Sequence, residues 1–535
     1  MTRLRRALDR LGPTLRAASH LRASQLAAFA LQRTRGPART PAQSRAPGVD
    51  ALALPEGFRG PSPEGRIDED GGVHLLGQPA HDPLRAGWQG GDPLWTYTLH
   101  YHGWISDPQC PTAQARRCIF DWIEEHREGV GWEPYPTSMR LLHWLGWLAR
   151  EGLQLSAPEL ELMLASMCAQ LLHLERHVEL HLDGNHVWTN LAALVACGLG
   201  LTGHVPSMVL ERCAPRLLAC VRDQLASDGV HAERTPSYHC LLAEQLAQVV
   251  ALAQPRLPGF ADPLRVALRR MVDALPAFTH PDGDVALWGD SQLAAPATPA
   301  RLCDRVGTKL VLGNDDARES GFSRRSWGPF TLLWNRGGVG LPQQVGHIHG
   351  DCLALELSHG RTRVLVDAGV GTYVPGLDRD YARSTHAHNT VTVEDRDQHE
   401  LWKSHRIGGR AVPNLLELGE QRIVAEVRGW RGVATHRRRI EWSGDALEIT
   451  DELAPPVVPG ILRWFVAGGL AVRATDHGAL VFLPRGETIE ITVRGAPVVL
   501  EPAPGWRAIG QPAARTCIRS ELGLRPRKTI IRVVR

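Results

Sequence analysis

The hydrophobic period of the chain changes once, and that change constrains the fold more than any other feature. From about residue 112 to residue 310 apolar residues recur at helical spacing, as in Ile119, Trp122 and Ile123 and again in Leu141, Leu142, Leu145 and Leu148. Beyond about residue 328 they alternate, and Arg363 to Val366, Thr390 to Val393, Arg422 to Val427 and Thr488 to Val493 read as strands. Turn signals at Ser443-Gly444-Asp445 and Asp476-His477-Gly478 predict short antiparallel strands, hence a sandwich. Helices first and strands second mean two domains rather than alternating βαβ units. Helix starts are expected near Ser156, a cap for the helix carrying Leu162, and near Pro206, Pro236 and Pro263.

The predicted organisation is a basic helix and Pro/Gly-rich linker over residues 1–66, a helical domain over 67–325 and an antiparallel β domain over 326–535. With 43% apolar residues in 535, the chain can bury large cores, which excludes a mainly disordered protein. Sixty Lys+Arg against 57 Asp+Glu leave a net charge of +3, so no whole-molecule field attracts nucleic acid, although a local basic groove can hold an acidic polymer. Ten cysteines between Cys110 and Cys517 form no C-x-x-C pair and read as buried thiols.

The start carries Arg3, Arg5, Arg6, Arg10 and Arg16, and its apolar stretch, Leu26 to Leu31, is too short for a secretory core. A cytoplasmic protein is expected, with periplasmic or membrane-peripheral placement of the basic helix as the alternative. The longest uncharged run, Val187 to Leu210, contains Asn190, His204 and Pro206 and reads as buried helix plus loop, so no transmembrane segment is expected.

Three polar clusters carry candidate chemistry. In the first, Asp183-Gly184-Asn185-His186 opens an apolar helix, which puts both polar side chains at an exposed helix end or makes Asp183 a simple cap. In the second, Pro236 fixes the geometry just before Tyr238, within a stretch from Asp228 to His239. The third joins Gly346-His347-Ile348-His349-Gly350-Asp351 to Asp367 and His388-Asn389. Strand alternation would set His347 and His349 on one face, and two imidazoles, a carboxylate and a third His make a plausible zinc set.

At these clusters the chain resembles the heparinase II/III-like polysaccharide lyases, through LWTYTLHY (Leu94 to Tyr101), WEPYPTSMR (Trp132 to Arg140), GNHVWTNLAAL (Gly184 to Leu194), ERTPSYH (Glu233 to His239), DGDVALWGDS (Asp282 to Ser291), GHIHGD (Gly346 to Asp351), VDAGVGTY (Val366 to Tyr373) and RSTHAHNTV (Arg383 to Val391). The resemblance implies an incomplete α/α toroid followed by an antiparallel β-sandwich. It also implies β-elimination at a uronic acid of an acidic polysaccharide. Asn185 and His186 would then neutralise the uronate carboxylate, and Tyr238 would act as base or as the acid for the leaving O4, with His347 as partnering base. A phenol acting as base needs cationic neighbours, for which Arg234 and His239 are the candidates. Arg140, Arg234, Arg379 and Arg383 would line a local polyanion groove, with His239 and Trp288 also on the substrate. A structural zinc would take His349, Asp367 and His388.

An Arg-rich start without an export signal is similar to companions of bacterial exopolysaccharide assembly, as opposed to scavenging lyases. Two other readings compete. Glycoside hydrolysis would use carboxylates among Asp183, Glu233, Asp282, Asp284 and Asp290. A non-catalytic polysaccharide-binding protein would use tryptophans such as Trp95, Trp104, Trp132 and Trp288 for stacking, although core packing suits most of them better. A homodimer is a further expectation.

Overall fold

The computed structural model describes residues 12–35, 49–455 and 459–534. Arg3, Arg5, Arg6 and Arg10, and the central part of the expected linker, lie outside the described residues. The helical domain is built from α1 (Ala23–Arg35), α2 (Pro93–Tyr101), α3 (Thr112–Glu125), α4 (Pro134–Glu151), α5 (Ala157–Arg176), α6 (Gly184–Gly200), α7 (His204–Gln224), α8 (Pro236–Ala253) and α9 (Pro258–Ala274). Local chemistry explains several starts. Asp92 accepts a hydrogen bond from Trp95 N at 2.9 Å ahead of Pro93, and Ser156 and Glu159 form a capping box on α5. Pro236 occupies the first turn of α8 as expected, whereas Pro263 lies inside α9, which starts earlier at Pro258.

These helices pack around a tryptophan-rich core that includes Trp95, Trp104, Trp122, Trp144, Trp147 and Trp188, with α6 buried on nearly every side and α1 lying largely exposed. The described part of the linker is an integral wrap on this domain. Ala51–Leu52 pairs with Leu201–Thr202, Ser62 donates to Glu244, and Gly60 packs so closely on Gly146 that a Cβ on either would come within 2.6 Å of the other's Cα. The uncharged run from Val187 forms α6, a two-residue strand and the start of α7, and no helix among the described residues is long and apolar enough to cross a membrane.

The strands begin at Asp315–Ala317, earlier than residue 326, because this segment pairs with Phe322–Trp327 and so belongs to the β domain. Among the described residues the domain contains a nine-stranded and an eight-stranded antiparallel sheet. Their alternating inner residues, among them Trp334, Trp464, Ile440, Ile449, Ile489 and Ile531, interleave into one core. The strands expected at Arg363, Val391, Arg422 and Thr488 are present, and both predicted turns close hairpins. All ten cysteines are free, and all but Cys110 are buried. The architecture is therefore a helical toroid followed by an antiparallel β-sandwich.

Candidate functional site

The two domains meet at a cleft of about 630 Å³ lined by Asn185, His186, Tyr238 and His347, the four residues expected to do chemistry. The ends of toroid helices supply one wall. On α2, Leu94, Tyr97, Thr98 and Tyr101 face it at spacings of three and four, and α4 adds Tyr135 and Met139. The sandwich supplies the other wall from its loops.

Asn185 is placed by an unforeseen partner. The expected cap, Asp183, makes no side-chain capping bond; instead Glu233, from the loop before α8, accepts from the Asn185 backbone N at 3.0 Å and from its Nδ2 at 3.0 and 3.1 Å. A carboxylate at this helix start meets unpaired N–H groups and the positive end of the dipole. Gly184 makes the approach feasible, since its φ is +54° and a Cβ there would lie 2.1 Å from Glu233 Oε1. Asn185 Nδ2 also lies 3.1 Å from His347 Nε2. Burial opposes the charge on Glu233, but His347, His231 and Asn185 outweigh it and hold the carboxyl below its ordinary range.

His347 and His349 do not share a strand face, because residues 340–353 form turns and loop. Asp290 brings them together instead: its Oδ2 lies 2.8 Å from His347 Nδ1 and its Oδ1 2.8 Å from His349 Nε2. Arg379 closes the buried network with a two-pronged contact to the same carboxylate, 2.9 Å at Oδ2. Burial alone would raise Asp290, yet Arg379 and the two imidazoles hold it well below the usual carboxylate range. With Nδ1–H of His347 donated to Asp290, the Nε2 lone pair is left at the cleft.

Tyr238 stacks on the His347 imidazole at 4.0 Å, and its hydroxyl lies 3.0 Å from that of Tyr373. Burial, with Tyr373 and Tyr135 nearby, pushes the phenol well above its ordinary value, so it stays protonated. The expected cationic tuning is absent. Arg234 turns away to Ser320 O, Asn335 Oδ1 and Gly338 O, and His239 binds Met271 O at 2.9 Å. His186 lies 3.1 Å from Glu179 Oε2, out of line for a hydrogen bond. Burial lowers its pKa, but Glu179 and Glu233 more than reverse this and favour the imidazolium.

The expected substrate-binding side chains fall elsewhere. Arg140 is buried in the toroid core, 3.8 Å over the Trp122 ring and bonded to Gln170 and His100 O, so it reaches no substrate. Arg234 and His239 are buried behind the cleft for the reasons above. Trp288 stacks on Phe322 at 5.1 Å, anchoring the turn that presents Asp290. Arg383 is buried and donates to Lys403 O at 2.7 Å and to Ile348 O and Arg406 O at 3.4 Å, so it holds the loop carrying Lys403 and Arg406, which do line the cleft. Buried guanidiniums bonded to carbonyls have the same sequence signature as exposed ones. Among the hydrolytic candidates, Asp282 is held by Arg363 at 2.7 Å and Asp284 by Ala294 N at 2.7 Å, and neither lines the cleft. No tryptophan among the described residues lines it either.

Next to this network, His388 Nδ1 lies 2.6 Å from Asp367 Oδ1 and the rings of His349 and His388 are 5.5 Å apart. His349 Nδ1, Asp367 Oδ2 and His388 Nε2 are all buried without a hydrogen-bond partner. Burial pushes His349 down to about 4, keeping it the neutral imidazole that metals bind. Two nitrogens and an oxygen with unused lone pairs fit a zinc ion chemically. Among the described residues no group of three or more His, Cys, Asp or Glu surrounds a common metal position.

Residues 312–534 match the family model of the heparinase II/III-like C-terminal domain. Residues 312–534 therefore form a heparinase II/III-like C-terminal domain. The heparinase II/III-like domain thus supplies His347 and Tyr373, and the toroid supplies Asn185, His186 and Tyr238. The whole chain is similar in fold to a crystal structure of heparinase III, at 17% identity and TM-score 0.68, over 95% of this chain and 90% of that one. It is also similar to a heparinase III with methylated lysines, at 17% identity and TM-score 0.60 over 95% and 89%, and to a mutant heparan sulfate lyase of Pedobacter heparinus, at 16% and 0.59 over 95% and 88%. No curated protein sequence matches the chain.

Proposed function

We propose that the protein is a polysaccharide lyase that cuts a uronic-acid-containing polymer by β-elimination. The observation that carries this reading is the convergence of His347, Tyr238, Asn185 and His186 on one interdomain cleft. The C5 proton of a uronate is weakly acidic, so its carboxylate must be neutralised as the carbanion character develops. The His186 imidazolium meets that carboxylate, and Asn185 donates to it once substrate displaces the Asn185 contact with His347. His347 Nε2 takes the C5 proton. The C5–H electron pair becomes the C4=C5 bond as C4–O4 breaks, and the Tyr238 hydroxyl protonates the departing O4. Asp290 fixes the His347 tautomer and stabilises the imidazolium that forms, while Tyr373 orients the Tyr238 hydroxyl.

A zinc ion held by His349, Asp367 and His388 belongs to the same reading. Its contribution would be structural, locking the loops that carry His347. The hydrolytic reading is weakened by the engagement of Asp290 with Arg379 and two imidazoles, which leaves it no proton to give. The test is ultraviolet absorbance of the unsaturated uronate during incubation with heparin, heparan sulfate, hyaluronan, alginate and a bacterial exopolysaccharide, beside Tyr238→Phe. A rise that the variant abolishes is the expected result; chain shortening without absorbance would replace elimination by hydrolysis.

A further inference from the structure

Two walls alone would make the interdomain cleft an open groove, but the walls are joined across it at two separate places. The first crossing is made by residues 12–35. Arg16 fixes this segment to the sandwich through the Glu400 carboxylate, with Nε at 2.8 Å and Nη2 at 2.5 Å, and Glu400 also accepts from Gly409 N at 2.8 Å. The Arg22 guanidinium then lies 4.0 Å from Asp183 on the toroid wall and 2.9 and 3.1 Å from the side-chain amide of Gln343 on the sandwich wall. A guanidinium can only donate, so Gln343 turns its oxygen toward Arg22. On α1 the Phe29 ring lies 5.2 Å from that of His181, on the toroid, and 5.9 Å from the Arg406 guanidinium, on the sandwich. Asp183, Gln343 and Arg406 all line the cleft, and none of the residues from 12 to 35 does, so the segment ties the two walls together from behind.

The second crossing shares no residue with the first. Here the wrap on the toroid meets the sandwich loop that follows Trp506. A Cβ on Gly510 would lie 2.1 Å from Leu76 O, and Ile509 N donates to Gln292 Oε1 at 3.3 Å. Leu76, Gln292 and Ile509 also line the cleft. Joined twice, the two walls enclose a pocket instead of a groove. An internal stretch of polymer must leave its site in two directions, whereas a chain end needs only one way in. We infer that the protein takes its polysaccharide by a chain end and releases a short unsaturated product at each elimination, with Arg16, Arg22 and Phe29 holding the segment that denies passage to internal stretches.

This inference deepens the lyase reading and rests on it, and its test separates the two. Wild-type protein is incubated with hyaluronan, heparan sulfate and alginate, and absorbance is followed beside the size distribution of the polymer. The expected result is one short product from the start while the remaining polymer keeps its length. An early ladder of oligosaccharides with collapse of polymer length would overturn the inference and leave the lyase reading intact. Binding of Tyr238→Phe is measured on short and long preparations of each polymer at physiological salt. The number of protein molecules bound per chain should not change with length, and a number that rises with length would overturn the inference. Length-independent binding without turnover would retain the inference and overturn the lyase reading, while neither binding nor turnover on any polymer would overturn the inference. The variant Arg16→Ala/Arg22→Ala/Phe29→Ala should cut internally, with a severalfold faster fall in polymer length per bond broken, and Arg22→Ala alone should move the same way. An unchanged rate on a short oligosaccharide shows that the pocket is intact in these variants. An unchanged product pattern in both, with that rate retained, would overturn the assignment to this segment.

Discussion

The Tyr238 ring stacks on the His347 imidazole at 4.0 Å, with 26° between the planes, although one side chain comes from a toroid helix and the other from a sandwich loop. The contact puts a protonated phenol and an imidazole lone pair at one spot, so a proton can leave and another arrive on the same face of a sugar. It also makes each domain a fixed wall for the other's reacting group.

Tyr238→Phe keeps the stacked ring and removes the proton. The expected outcome is a kcat lower by about 100-fold or more, with KM little changed and an unaltered melting temperature. Steady-state kinetics with thermal unfolding of the same preparation checks this.

Asp290→Asn leaves Arg379 buried without its carboxylate and frees His347 to adopt the wrong tautomer. Breaking a buried pair from one side costs about 3–5 kcal/mol, so both kcat and denaturant stability should fall. Because Asp290 is held below its ordinary value, its stabilising effect is full above the unfolded carboxylate pKa near 4 and is lost as pH falls through the folded one. Wild-type unfolding free energy should therefore decline on acidification, and the variant should show less of that decline.

His186 acts as a cation, so kcat/KM should fall as pH rises through its raised pKa. Glu179 is the larger of the two carboxylates that raise it. Glu179→Gln should shift the alkaline limb of the profile to lower pH and raise KM more than it lowers kcat. A pH series on both proteins reads this directly.

Gly184→Ala places a methyl group against Glu233 Oε1 at a left-handed backbone position. Displacing Glu233 uncaps α6 and releases Asn185, with an expected loss of about 1–3 kcal/mol and of most activity. Chemical denaturation and kinetics measure the two effects.

Metal analysis of purified protein should find one zinc per chain. Chelation, or His388→Ala, should lower the melting temperature and make the loop carrying His347 more accessible to proteolysis. An unchanged melting temperature with no zinc before or after reconstitution would remove the metal from the reading.

Periodicity and composition made the architecture legible. The period change near residue 310 reports which backbone pattern can bury each segment's apolar residues, and burial is a local, additive property of the sequence. The grouping of Asn185, His186, Tyr238 and His347 came from the family resemblance, since the residue types alone fitted a helix cap and a core tyrosine equally well, and the fold brings all four to one cleft. What the sequence could not supply was pairing at a distance. Whether Arg140 meets a substrate or stacks on Trp122, whether Asp183 or Glu233 caps α6, and whether His347 and His349 share a pleat or a carboxylate all depend on which backbone atoms lie within about 3 Å once the chain is folded. Such choices are made by the packing of segments far apart in sequence, so the residue types were determined by the sequence and their partners by the tertiary structure alone.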